Sequence, residues 1–346
     1  MRRLVLPTAA AVVLCVCVPA LAQKTYTLER KYKVGDVALY EVVATGAGAM
    51  EMELAVPEGQ QAPPAPPGGD IWVDAKVEML QEVKAVDEQG VGEIVLRLPS
   101  IDLSMQMFGM SQDINVQDDH VRITVNGQVM FDSAAAGQNK QMAQVFSILQ
   151  DGIVMKMDKR GRTVEMPGME MLKAMMPQGM DFKAAMNMST GDLPDHPVKV
   201  GDTWEQVQAI PMPLPEGKGL PEFVTKYTLE AIETVRGIEC AKVAMNMDAS
   251  LAEPVKMSLS PGMVTGAQIP PGTAVDITIE KLDVALTGNQ HIALATGMLE
   301  SSTMNLKITQ HLRQKMKIQQ GDKTQDIEFT MKIDGLEVDV EITRVE

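Results

Sequence analysis

Apolar and polar residues alternate along most of this chain, and a period of two marks strands that bury one face. Near the C-terminus Ile327, Phe329, Met331 and Ile333 alternate with Glu328, Thr330 and Lys332. Asp334-Gly335 then reads as a two-residue turn, after which Leu336, Val338, Val340 and Ile342 alternate with Glu337, Asp339 and Glu341. The pattern predicts a hairpin that pairs Ile333 with Leu336 and Phe329 with Val340. Met304, Leu306, Ile308, Leu312, Met316 and Ile318 hold one parity, which predicts a third long strand completing a meander. Asn126-Gly127, set between 121–125 and 128–131, predicts a second tight hairpin. Strands with one apolar and one wet face belong to antiparallel sheets. The fold class expected is therefore mainly β: long antiparallel strands in a curved sheet or half-barrel.

The order of features suggests an internal repeat. Tyr32-Lys-Val-Gly-Asp-Val37 is echoed by Val198-Lys-Val-Gly-Asp-Thr-Trp204. Each copy is followed by a proline-rich loop containing Pro-Glu-Gly, a long strand candidate (71–86 and 223–235), a turn (87–90 and 236–237) and a second strand (91–98 and 238–247). Lys-Val-Gly-Asp itself reads as a turn, with glycine supplying φ > 0 and the aspartate bonding its own backbone. The other reading, Asp36 and Asp202 as paired catalytic carboxylates, has nothing else converging on it.

Between the repeats the periodicity changes. Met142, Val145, Phe146 and Leu149 follow helical spacing and predict a helix over 139–150, with shorter helices over 168–176 and 180–188. The expected organisation is a signal peptide at 1–22, a first β repeat at 23–138, a Met-rich helical segment at 139–190 and a second β repeat at 191–346.

The leader rests on Arg2 and Arg3, an apolar run and Ala20-Leu21-Ala22, a small-x-small cleavage pattern before Gln23. Acylation of Cys15 or Cys17 competes, but neither follows a small residue. The protein is thus expected to be exported, periplasmic or extracellular. Removing the leader takes two of 31 basic residues and none of 46 acids, leaving a formal charge of −17 on 324 residues. That charge repels nucleic acid and anionic lipid, and no later apolar run reaches the length of a membrane helix. Cys240 alone survives processing, so no internal disulfide forms; within a strand-like stretch it reads as a small buried residue, not a nucleophile.

Methionine, 28 residues against 3% aromatics, stands where leucine or phenylalanine would normally pack. Ten lie within the thirty-four positions 155–188. Met142, Phe146, Met169, Leu172 and Met176 are the candidate lining of a pliant apolar site for a small molecule or peptide. The alternative is a Cu(I) site built from the soft thioethers of Met166, Met169 and Met171. The run from Asp113 to His120 opens like a calcium loop, but lacks the glycine at its sixth position and a closing glutamate, so it reads as an acidic turn. His120, His196, His291 and His311 are separated in sequence, without metal-ligand spacing. No hydrolase or phosphate-loop motif is present. Trp204 and Tyr40 read as core anchors of their repeats rather than the walls of a cleft.

The segment Leu193–Trp204, with Leu193-Pro194 before Lys-Val-Gly-Asp-Thr-Trp and alternating strands after it, resembles an uncharacterised family of secreted bacterial proteins known as a domain of unknown function. The resemblance implies export and brings no catalytic residues with it. The first copy departs at Val37-Ala38. Long curved sheets with a helical cover also resemble the periplasmic lipoprotein carriers in architecture. These readings converge on an exported, non-enzymatic binding or carrier protein for an apolar ligand, without a cofactor. A Met-rich Cu(I)-handling protein and a hydrolase with dispersed residues are the alternatives.

Overall fold

A computed structural model describes residues 24–55, 68–107, 109–117, 120–135, 151–167, 192–208, 223–259, 274–320 and 323–345. The first half contributes β1 (Val37–Ala55), β2 (Gly69–Val86), β3 (Gly92–Met107), β4 (Met110–Gln117), β5 (His120–Val125), β6 (Gln128–Asp132), β7 (Ile153–Met157) and β8 (Thr163–Glu165). The second contributes β9 (Thr203–Gln208), β10 (Phe223–Val235), β11 (Ile238–Ser250), β12 (Val255–Leu259), β13 (Ala274–Ala293), β14 (Leu299–Gln320) and β15 (Lys323–Arg344). All pair antiparallel in one sheet of order β6-β5-β4-β3-β2-β1-β15-β14-β13-β11-β10-β9. Two strands divide an edge between partners: β3 takes β7 and then β4, and β13 takes β12 and then β11. Among the described residues β6 and β9 do not meet, so the sheet is open. The three segments expected to be helical lie outside the described residues.

The Asp334-Gly335 turn is overturned. β15 runs straight through it for 22 residues, pairing with β1 on one side and β14 on the other. Ile333 lies opposite Met50 and Gln310, not opposite Leu336. Between Ile333 and Leu336 the strand holds one more residue than either neighbour spans, and Gly335 takes φ +66°. This is a bulge with a left-handed glycine. It moves the apolar parity from odd (329, 331, 333) to even (336, 338, 340) while keeping one face inward. A two-residue turn produces the same parity change, so the alternation could not distinguish them. β13 carries a second such device, where Ile279 and Lys281 face the consecutive residues Leu312 and His311. Its inward residues change from Ile277 and Ile279 to Leu282, Val284 and Leu286. β14, between the bulged strands, has no extra residue against either of them at this level.

The tight turn at Asn126-Gly127 forms as expected, with φ +49° and +76°. The two Lys-Val-Gly-Asp segments build the same turn. Asp36 N–H bonds the Lys33 carbonyl and Asp202 N–H the Lys199 carbonyl, both at 3.0 Å, with Gly35 and Gly201 at φ +87° and +96°. Each turn then docks on the strand beside it: Gly35 on Val83 (2.9 Å) and Gly201 on Leu229 (2.7 Å).

Packing at this end of the sheet is dense. Val83, Ile94, Leu96, Ile153, Met155 and Met157 form one buried cluster. Leu28, Leu193, Val198, Trp204, Tyr227, Leu229 and Val243 belong to another. The N-terminal segment spans both: Arg30 N–H bonds the Lys159 carbonyl at 2.7 Å and Lys31 N–H the Thr296 carbonyl at 2.8 Å, while Tyr26 bridges Val198. Residues 192–198 also dock rather than loop freely. Arg160 grips both carboxylate oxygens of Asp192 (2.8 and 2.6 Å) and the Leu193 carbonyl (2.9 Å). Trp204 Nε1 donates to the Asp192 carbonyl at 2.8 Å.

Candidate functional site

Of the residues singled out from the sequence, Met142, Phe146, Met169, Met171, Leu172 and Met176 lie outside the described residues. Met166 lies within them and packs half-buried on the Val83–Met157 cluster. Trp204 and Tyr40 are buried, as core anchors should be. Strand pairing gives Trp204 an aromatic neighbour the sequence did not reveal: it stacks on Tyr227, centroids 5.6 Å apart. Cys240 is fully buried, and burial pushes its thiol above its ordinary range. Asp113 stands in β4 rather than in a turn, its carboxylate accepting from Ser104 Oγ at 2.8 Å. Among the described residues no cluster of His, Cys, Asp and Glu is arranged to hold a metal ion. Nor is any helix there long and apolar enough to cross a membrane.

The long strands present two contrasting faces. Cross-strand partners on the inward face make apolar rows, because alternation along each strand and the two bulges keep every row in step. One row is Gly46, Val338, Leu306, Leu286, Met247; the next is Leu336, Ile308, Val284, Ala249, with Gly48 lying close to Leu336 at the irregularity. A third joins Met52, Met331, Leu312, Ile279 and Val255. Many of these side chains are only half-buried, including Val338, Leu306, Ile308 and Leu336. Gly46 and Gly48 allow the close approach of β15: a Cβ on either would lie within 3.0 Å of Val338 or Leu336. An apolar area crossing five strands is the arrangement a flat or chain-like apolar ligand requires.

The other face is polar. An open groove of about 590 Å³ crosses it, lined by Asn246, Thr287, Asn289, Asn305, Asp339 and Glu341 among others. Each histidine, isolated in sequence, has a carboxylate at hydrogen-bond distance: His120–Asp132 (2.9 Å), His196–Asp195 (2.8 Å), His311–Asp334 (3.0 Å) and His291–Glu233 (2.5 Å). The histidine bonds hold Asp132, Asp195 and Asp334 below the usual carboxylate range. His291 has a second partner, Ser301 Oγ, at 2.9 Å from Nδ1. No sequence signal marks this trio, whose members lie ten and fifty-eight residues apart and meet only through the register of β10, β11, β13 and β14.

One charge is deeply buried. Glu300, 1% exposed, receives Arg344 Nη1 at 2.8 Å and Arg236 Nη2 at 3.2 Å. Two guanidiniums satisfy both carboxylate oxygens and fasten the 236–237 turn to β14 and β15, a structural role.

No known family matches the chain, and no curated protein does. Among solved structures, Pseudomonas aeruginosa OpdQ aligns with 90% of this chain and 100% of its own at 8% identity and a TM-score of 0.17. OccK5 (OpdH) of the same bacterium aligns over 90% and 99% at 6% identity, also with a TM-score of 0.17. Superpositions at this score carry no argument about fold or function.

Proposed function

We propose that this chain is an exported binding or carrier protein that holds an apolar ligand against the inward face of its long strands. The supporting observation is the set of half-buried apolar rows across β1, β15, β14, β13 and β11. Methionines at Met52, Met331 and Met304 make that surface adaptable, since an unbranched thioether side chain repacks around guests of different shape. The formal charge, −15 on the whole chain and −17 once the expected leader is removed, keeps such a protein soluble and away from anionic membrane surfaces.

Native mass spectrometry of the mature protein purified from its own host tests the reading. An added mass that organic extraction removes is the expected result. A fluorescent long-chain fatty acid then provides a titratable probe. Leu306→Gln and Ile308→Gln should each weaken its binding about tenfold, the loss of roughly 1.4 kcal/mol of apolar contact. Bare protein from the host, together with equal probe binding by wild type and both variants, would overturn it.

A further inference from the structure

We propose that Ser301, His291 and Glu233 form an acyl-transfer site on the polar face of the sheet, opposite the apolar rows. The proposal goes beyond a binding function, and gives the hydrolase alternative specific residues. His291 stands directly between its two partners, 2.9 Å from Ser301 Oγ through Nδ1 and 2.5 Å from Glu233 Oε1 through Nε2. Nucleophile, base and orienting carboxylate within hydrogen-bond reach is the arrangement that activates a serine. The pairing fixes the tautomer: a proton on Nε2 is given to Glu233, which leaves the Nδ1 lone pair to accept from the Ser301 hydroxyl.

Strand register puts a cation beside the trio. Lys242, His291, Ser301 and Thr343 are successive cross-strand partners and so share one face. Lys242 stands opposite His291 and two strands from Ser301, its ammonium held at 3.0 Å by Glu230, so it adds a longer-range positive charge on the same face rather than a direct hydrogen bond to the developing oxyanion. β14 carries an irregularity at this point, Ser301 facing His291 while Leu299 faces Ile292, so Glu300 is the extra residue. Bulges commonly re-aim side chains beside reactive sites. His291 is 21% exposed, enough for a substrate to reach its partner serine.

The chemistry balances within these groups. Ser301 Oγ attacks the ester carbonyl carbon while its proton passes to His291 Nδ1. The C–O bond to the alcohol breaks, and the departing oxygen takes that proton. Water repeats the sequence on the acyl-serine, releasing the acid and restoring Ser301. Asp339, Glu341, Asn289 and Asn305 line the adjacent groove, so the favoured substrates are small-acyl esters of neutral polar or cationic alcohols. Anionic esters meet repulsion.

An open site whose nearest described cation is already paired turns over slowly, so covalent capture is the primary readout. The full mature chain is treated with a fluorophosphonate, in which Ser301 displaces fluoride, and then mapped by peptide mass spectrometry. One adduct on Ser301 is expected, absent in Ser301→Ala, and slowed on the order of a hundredfold in His291→Gln. Hydrolysis of para-nitrophenyl acetate should fall in the same order. Glu233→Gln, which leaves the nucleophile and base in place, should label at an intermediate rate. Thermal midpoints within those of the wild type show that the variants are folded. Labelling of Ser301 no faster than of Ser104, or undiminished in folded His291→Gln, overturns the proposal.

Discussion

Val83 and Leu229 hold the same place in two separate stretches of sheet. Each accepts from a turn glycine and returns its own N–H to the following aspartate carbonyl, Asp36 at 2.9 Å and Asp202 at 3.0 Å. Each faces a buried valine or isoleucine, Ile94 or Val243, and each is followed by a bulge residue, Lys84 or Glu230. A turn, an anchor and a bulge thus recur in the same order at the two sites. Because the anchors sit in different clusters, their truncations should act independently. Leu229→Ala is expected to lose about 3 kcal/mol and Val83→Ala about 2, adding in the double variant. Urea unfolding of the three variants measures this.

The continuity of β15 sets a distance. Thr330 and Asp339 stand nine residues apart along one strand, on the order of 30 Å. In a hairpin turning at Asp334-Gly335 they would be cross-strand pairs, about 5 Å apart. Spin labels on cysteines at these positions should report the long distance.

Arg160 carries the docking of residues 192–198. Its guanidinium neutralises Asp192, whose side chain is 9% exposed, and also caps the Leu193 carbonyl. Arg160→Met keeps the apolar stem but strands that carboxylate, and should cost about 3 kcal/mol. Asp192→Asn in the same background should recover much of the loss, since the amide carries no charge into the core. Chemical denaturation of both variants checks this.

Alkaline lability should follow from three tyrosines. Burial pushes the phenols of Tyr32, Tyr40 and Tyr227 above their ordinary value of 10.0. A group whose folded pKa is raised gives stability that is complete below its unfolded value and drains as pH climbs toward the folded one. Above pH 10 each phenol therefore removes up to about 1.4 kcal/mol per pH unit. Stability should be flat below that point and fall steeply beyond it. Phenolate absorbance should rise together with loss of β-sheet ellipticity; phenolate formation in the still-folded protein would show the phenols to be accessible.

Strand identity was legible from alternation alone, because a half-buried strand records its environment in every second residue. The 71–86 and 223–235 candidates lie within or match β2 and β10, and the Lys-Val-Gly-Asp turns follow from one glycine each. Connection was not legible where a turn and a bulge leave the same trace, as at Asp334-Gly335. The Ser301 trio was invisible for a related reason: its geometry depends on the register of four strands, and no local pattern encodes register.

The bulges of β13 and β15 also bear on folding. A twenty-residue strand with a regular apolar stripe can slide by two residues and still present an apolar face, a near-miss that costs little and traps the chain. One extra residue at Glu280, and another between Ile333 and Leu336, removes that freedom. A slid partner would face the wrong parity on one side of the irregularity. β14 is keyed by both neighbours at nearly the same height, so the longest strands have one alignment that satisfies all three. The irregularities thereby act against misassembly and against pairing with other copies while the chain folds.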